Sequence, residues 1–526
     1  MTLGSGLVAG ACAEGGGGGA DRPGADSPLI LGYAAELQTL NPVVSTDQNA
    51  NDLINSLLFT PLVTYDSAFH VRPWLAERWV LSETDVVFDL RHDVTWHDGE
   101  PVTAEDVKFT FDLAKDPAVA SPLGSAYLTN VDGATVLEPY RIRFTFAAPH
   151  AEPLEDFFWP PVPKHVLEGT ASEEIARHPF GRAPLGSGPY RFNRWDVGQS
   201  LQLERVTPFP SALGGPAEIP RVVYRFIPER MTRLAELRRG DLHVDGPLAP
   251  QDAERASQTP GVRLLSFPWR QFTYIGWNTL REPFQEAEAR RALAMAMDRA
   301  ELLNAILRGL GQPATSVIPP WHPYAPDLAP LPYAPDSAAS ILDRLGWRDT
   351  DGDGVRERGG RPLRFELMAS QRNPVFGELV QVLQAQLARV GVAVEIRLLE
   401  WQTMLGLHRS RDFDAVLTNW VLDNFRVDPR PLFHSDQVAI EGSANRSSYT
   451  NPIADSLMDL GTRTLDAVEA ARTWAHFSTI VQEDQPITLL FWNDELAAVR
   501  EELEGVRMDA RGELVTLPRW RWRVAP

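Results

Sequence analysis

From Leu29 onward, short apolar runs alternate with helical patterns, the arrangement expected of an α/β or mixed chain. Val86-Val87-Phe88-Asp89-Leu90 and Val94-Thr95-Trp96 read as strands, and His97-Asp98-Gly99-Glu100 reads as the turn between strand and helix. Thr103-Ala104-Glu105-Asp106 opens that helix, which continues through Leu113. Thr103 can cap the free amides, and the acids suit the positive helix end. Tyr190-Arg191-Phe192, Leu201 to Glu204 and Val222 to Phe226 predict a different sheet, followed by a helix from Met231 to Arg239 that Gly240 ends.

Arg290 to Met297 carries an apolar stripe at Leu293, Ala296 and Met297. Asp298-Arg299-Ala300-Glu301 then restarts a helix as a capping box, with Leu302, Leu303, Ile306 and Leu307 expected to be buried. Asn373-Pro374 places a capping residue before a first-turn proline, for a helix running to Val390 with Gly391 as its stop. Val392, Val394, Ile396 and Leu398 then point one way, and Asp414 to Trp420 forms another strand, a β-α-β pattern. The prolines from Pro319 to Pro335 predict a long surface excursion, and no internal repeat is visible.

A chain of 526 residues exceeds one ordinary core, so two or three domains are expected. With 44% hydrophobic residues, including 15 Trp and 23 Phe, disorder is excluded as the main class. The formal charge of −20 disfavours a nucleic-acid partner, whose affinity is built largely from Lys and Arg on phosphates. No apolar run is long enough for a membrane-spanning helix. The only cysteine, Cys12, cannot form an intramolecular disulfide. It ends the run Leu7-Val8-Ala9-Gly10-Ala11-Cys12, which resembles a lipoprotein signal whose Cys receives the lipid; a stray cysteine in a floppy leader is the alternative. Gly15 to Gly19 and the residues after them suit a tether, so residues 1–27 are read as leader and linker.

The chemical motifs are mostly negative. H-E-x-x-H, P-loop and G-x-S-x-G patterns are missing, and Cys12 alone cannot build a Cys-based zinc site. His97 beside Asp98 could be an acid/base pair, but Asp is favoured in such a Gly-containing turn for local backbone bonding. Asp349, Asp351, Asp353 and Gly354 match the first half of an EF-hand loop, whereas Gly360 stands where the bidentate Glu belongs; a turn between strands accounts for them better. Trp401 and Trp420 flank the last strand–helix unit, where core packing is the ordinary role of a Trp. Asp423 follows the strand Ala415-Val416-Leu417 within Asn419-Trp420-Val421-Leu422-Asp423-Asn424, and ligands of α/β domains collect near strand ends.

Several longer stretches carry a resemblance. Trp74-Leu75-Ala76-Glu77-Arg78-Trp79, Phe88-Asp89-Leu90-Arg91 and Trp96-His97-Asp98-Gly99-Glu100-Pro101-Val102-Thr103-Ala104-Glu105-Asp106-Val107 resemble the signature of the bacterial extracellular solute-binding proteins of family five, the oligopeptide, dipeptide and nickel-binding group. Gly186-Ser187-Gly188-Pro189-Tyr190, Arg290 to Arg299, Gly352-Asp353-Gly354 and Tyr449-Thr450-Asn451-Pro452 follow in the family's order, so the similarity spans roughly residues 29–520.

The resemblance implies an α/β type II periplasmic-binding fold of two lobes, the first with an inserted subdomain, and hinge closure on a ligand. The expected division is 28–58, 186–268 and 485–526 for the first lobe, 59–185 for the insert and 269–484 for the second lobe. It implies structural roles for His97-Asp98 and for the Asp349 turn. In peptide binders of the family an acid three residues after a strand-end Trp holds the ligand's α-amino group, and Trp420 to Asp423 has that spacing. Trp401 resembles the Trp before a short helix beside the ligand, and Asn419 and Asn41 complete the candidate substrate contacts. Asn419 stands where Gly is usual, and Asp423-Asn424-Phe425-Arg426-Val427-Asp428-Pro429 replaces the usual Asp-Tyr-Pro-Asp-Pro. The implied function is a non-enzymatic receptor, without cofactor or metal, that binds peptides for an ABC permease, as a lipid-anchored monomer in the periplasm or at the cell surface. A metal chelate or oligosaccharide is the alternative ligand, and a periplasmic hydrolase is the alternative class.

Overall fold

The computed structural model describes residues 24–422 and 424–523, so Cys12 and Asp423 lie outside the described residues. Among these residues one 11-stranded sheet dominates. Its order is Ala393–Leu399, Arg364–Ser370, Ala415–Val421, Val262–Trp277, Ile487–Arg500, Val244–Asp245, Leu29–Tyr33, Arg221–Phe226, Ser200–Arg205 and Tyr190–Asp196, with Gln312–Pro313 on the side of Ile487–Arg500. Parallel pairs carry the β-α-β units, as in Arg364–Ser370 beside Ala393–Leu399 across the helix Pro374–Ala388. A separate four-stranded antiparallel sheet comprises Ala76–Leu81, Asp85–Leu90, Arg141–Phe146 and Val131–Glu138.

Two strands hold the large sheet together. Val262–Trp277 and Ile487–Arg500 run antiparallel along most of their length, and the register breaks between Pro268 and Phe272. Such an irregularity bends a strand and redirects the side chains at the break. Here the break contains Trp269, Arg270 and Gln271, and Arg270 projects into the cleft described below.

The helix signals operate as their chemistry requires. Thr103 and Asp106 form a reciprocal capping box for Ala104–Lys115, and Asn373 accepts from the Val375 amide at the start of Pro374–Ala388. Gly240 ends Arg230–Arg239 in the left-handed conformation at φ 84°. At Asp298 only half of the expected box forms: Asp298 accepts from the Glu301 amide at 3.0 Å, but the Glu301 carboxylate turns to Gln386 Nε2 at 2.8 Å. Gln386 Oε1 accepts the Asp298 amide instead, at 3.0 Å. A buried amide from another helix thus replaces the local partner.

Two further differences have local causes. Val94-Thr95-Trp96 is not a strand but a tight loop bridged at Thr95 and Pro101, with the Trp96 amide donating to Glu100 O at 2.7 Å. The proline has no N–H with which to extend a ladder. Leu398 is 44% exposed because Ala393–Leu399 is the last strand of the sheet and its outer end is uncovered.

The segment Gly186-Ser187-Gly188 knots three parts of the chain. The Ser187 and Gly188 amides both donate to Leu58 O, at 3.0 and 2.9 Å, and Thr60 Oγ1 donates to Ser187 O at 2.8 Å. The His97 amide donates to Gly186 O at 2.9 Å, and its ring meets Gly188 O at 3.0 Å. A Cβ on Gly186 would lie 2.0 Å from Leu58 O, and one on Gly188 would lie 2.3 Å from Leu57 O, so backbone approach requires glycine at both positions.

Candidate functional site

Two adjoining cavities, of about 370 and about 540 Å3, share Asn55, Ser56, Tyr127, Phe158, Arg270 and Arg511 as common wall. Their size suits a small-molecule or peptide ligand. Segments distant in sequence supply the walls: the helical stretch after Asp47, residues 122–127 and 158–160, the tail around Arg511, and Asn424-Phe425 just past the strand Ala415–Val421. Beneath them Asp52 accepts from Ser56 Oγ and from the Leu514 amide, each at 3.0 Å, and burial pushes its carboxyl up to about 6. Glu513, held at about 7 by burial, accepts from Tyr33 OH at 2.6 Å, and Tyr33 stacks on Tyr224.

Contacts across the opening hold its two sides together. Arg426 inserts between acids of the antiparallel-sheet side and pairs with Asp156, whose carboxylate is 0% exposed and also meets His150 Nε2 at 2.8 Å. The Val427 amide donates to Glu152 at 3.2 Å, Asn424 Nδ2 donates to Ala126 O at 3.0 Å, and the Ala151 amide donates to Thr462 O at 2.8 Å. Aromatic rings add to this seam: Phe69 stacks on Trp321 at 4.2 Å, and Phe425 meets the Tyr65 ring edge-to-face at 4.8 Å. Glu155, accepting from Tyr65 OH, lies beside Arg426 and Asp156.

This cleft between two sheet systems is a binding architecture, and comparison with known proteins names it. The description of the bacterial extracellular solute-binding proteins, family 5 (Middle), matches residues 70–437. The chain belongs to this family. The oligopeptide-binding protein AppA of Bacillus subtilis is 28% identical over 512 residues, 95% of this chain and 92% of AppA. The probable D,D-dipeptide-binding periplasmic protein DdpA of Escherichia coli is 27% identical over 91% of this chain and 90% of its own length. The solved structure of Bacillus subtilis AppA with a nonapeptide superposes with a TM-score of 0.75 at 27% identity, covering 94% of this chain and 99% of that one. The fold is that of the type II periplasmic-binding proteins, and the role is substrate binding.

Within this family-5 framework the sequence candidates occupy different places. Trp420 is half-buried opposite Phe272 and lines a small recess of about 50 Å3 with Ile318, Leu422 and Phe425. Asn419 pairs with Thr273 across the same strands. Trp401 begins the helix Trp401–Arg409 and rests on Met368, Met404, Phe413 and Val416. Among the described residues the walls of the two large cavities include none of Trp401, Asn419, Trp420 or Asn41. Asn41 is 1% exposed; its Oδ1 accepts from the Val43 amide at 3.0 Å and its Nδ2 donates to Ile175 O at 3.3 Å. Asp423 directly precedes the wall residues Asn424 and Phe425.

The side readings resolve as local structure. His97 joins the Gly186–Gly188 knot, and Asp98 meets His165 Nε2 at 2.9 Å and accepts from the Glu100 amide. Asp349, Asp351 and Asp353 are exposed, and their carboxylates accept backbone amides of their own turn. Arg270 and Arg511 escaped sequence reading because each stands in a segment without a motif, and Arg426, although inside the Asp423–Pro429 stretch, had no role there until tertiary contact brought it to Asp156.

Burial also predicts how stability depends on pH. Glu152, Glu155 and Glu513 are raised by burial to about 7, 8 and 7, so between the ordinary carboxylate range and these values the folded state holds protons that the unfolded chain releases. Their contribution therefore falls as pH rises. Burial lowers His97, His243 and His322 to about 4, so these contribute in the opposite sense, mainly between about 4 and the ordinary value of 6.5. Above pH 6.5 the histidine contribution fades over about one unit and the acids outweigh it. Thermal unfolding is expected to occur at progressively lower temperature from about pH 6.5 to about pH 8, and a midpoint that rises over that interval would contradict this.

Proposed function

We propose that this protein is the extracytoplasmic receptor of an ABC importer, taking peptides into the cleft and delivering them to a membrane permease without chemistry of its own. The observation that carries the reading is the double cavity past the end of the strand Ala415–Val421, walled by Phe425, with the Arg426–Asp156 pair across the seam beside it. Similarity to AppA along nearly the whole chain supports the ligand class. We assign residues 28–58, 186–268 and 485–526 to one lobe carrying the insert 59–185, and 269–484 to the other, acting as a monomer. Cys12 is the proposed lipidation site: with a complete signal, Cys12→Ser is expected to move the protein from the membrane fraction to the soluble one.

Asp423 is the proposed anchor for the free amino group of the peptide, on its spacing after Trp420 and its place beside the cavity wall. Removing one partner of a desolvated charge pair costs about 2–5 kcal/mol of affinity. Asp423→Asn is therefore expected to weaken free-amine peptides by roughly 30-fold or more and to leave N-acetylated peptides almost unchanged, as read by calorimetry on both proteins. Equal binding of acetylated and free peptides by the wild type would remove the anchor role.

A further inference from the structure

The smaller cavity is unlike the rest of the molecule in charge. The chain as a whole carries −20, yet the walls of this cavity contain Arg72, Arg270, Arg511 and Arg519 and no Asp or Glu among the described residues. Arg511 is held by Asp509 at 2.9 and 2.7 Å and by Tyr65 O at 3.0 Å, which fixes it as part of the wall. Arg72 and Arg519 are different: among the described residues their guanidinium groups make no ion pair or side-chain hydrogen bond, whereas other described arginines, such as Arg426 and Arg233, are paired with acids. Gly214 makes room for Arg519, because a Cβ there would come within 2.3 Å of Arg519 Nη2. In a concave site such cations concentrate the field on a ligand's negative group and can grip a carboxylate with two parallel hydrogen bonds.

We propose that this cavity is a carboxylate subsite, with Arg72 and Arg519 as its specificity-determining residues, so that the receptor favours peptides presenting a negative group there. The inference rests on the peptide-receptor reading for the nature of the ligand, though not for the charge of the subsite. The carboxylate comes either from the ligand's C-terminus or from an acidic side chain, and the test separates the two.

Calorimetry is to be run on wild type and on the double variant Arg72→Gln/Arg519→Gln, with folding checked by circular dichroism. Both positions are exposed, so the variant is expected to fold. The probes are Ala-Ala-Ala, Ala-Glu-Ala and Ala-Lys-Ala, each as free acid and as C-terminal amide, together with glutarate. Wild type is expected to prefer the favoured anionic form by about tenfold or more, and the double variant to lose most of that preference. Loss of affinity on amidation assigns the subsite to the C-terminal carboxylate; preference for Glu over Ala at the middle position assigns it to a side chain. Anionic and neutral peptides binding alike to wild type, or a full preference surviving in the double variant, would overturn the proposal. If no peptide binds wild type, the peptide reading fails separately, and glutarate decides: arginine-dependent binding upholds the subsite and its absence overturns it.

Discussion

Arg426→Met is expected to loosen the closed cleft more than any other single change along its seam. Asp156 is 0% exposed in this structure, and its pairs are Arg426 on one side and His150 on the other. Glu155 and Glu152 lie within the field of the same guanidinium. Methionine keeps much of the arginine stem's volume but leaves the acids with no cation from across the cleft. Breaking a buried pair by removing one partner costs about 3–5 kcal/mol, because the remaining charge stays desolvated. The variant can avoid that penalty by opening. Ligand affinity, scaled by the fraction of closed protein, should fall by roughly a hundredfold or more. Small-angle scattering with a saturating peptide should give a larger radius of gyration than for wild type. Adding Asp156→Asn to the variant should restore part of the loss, as expected for contacting residues. An unchanged radius and affinity in Arg426→Met would show that the aromatic seam of Phe69, Trp321 and Phe425 holds the cleft without the ion pair.

The second large effect concerns stability. Asp245 sits inside the main sheet, opposite Gly32 on one side and Ala498 on the other, and is 0% exposed. Arg233 reaches it from the helix Arg230–Arg239, with Nε at 2.7 Å from Oδ1 and Nη1 donating to Ile227 O at 2.8 Å. Burial raises the Asp245 carboxyl even with that pair in place. Arg233→Met should destabilise the fold by about 3–5 kcal/mol, visible as a drop of several degrees in thermal unfolding. Replacing both partners, as Arg233→Met with Asp245→Leu, should recover most of it, since an apolar pair of similar volume removes the stranded charge. If the double variant is no better than the single one, hydrogen bonding to Ile227 O, and not the ion pair, carries the contribution.

Much of this protein is legible in its amino-acid sequence. Helix boundaries at Thr103, Asn373 and Gly240 follow from capping and left-handed chemistry that acts within a few residues, so local sequence is sufficient to place them. Strand alternation and the Gly186-Ser187-Gly188 motif likewise point to the fold class, and the family match over residues 70–437 agrees with it. The same local reasoning fails where a distant group intervenes. Gln386 displaces the expected reciprocal cap at Glu301, and Pro101 reduces a supposed strand to a single bridge at Thr95.

The cleft is decided by tertiary structure. Asn41, a candidate substrate contact from the sequence, has its side chain bonded to the Val43 amide and to Ile175 O, a partner 134 residues away. Arg270 becomes a wall residue through the register break in a long strand, and Arg72, Arg511 and Arg519 join it from the two ends of the chain. Arg426 meets Asp156 across 270 residues of sequence. Local backbone preferences fix elements over spans of a few residues, whereas a binding cavity and its charge arise from which surfaces the folded elements bring face to face. Sequence therefore determined the kind of protein and its elements, and packing alone chose the residues that line and close its cleft.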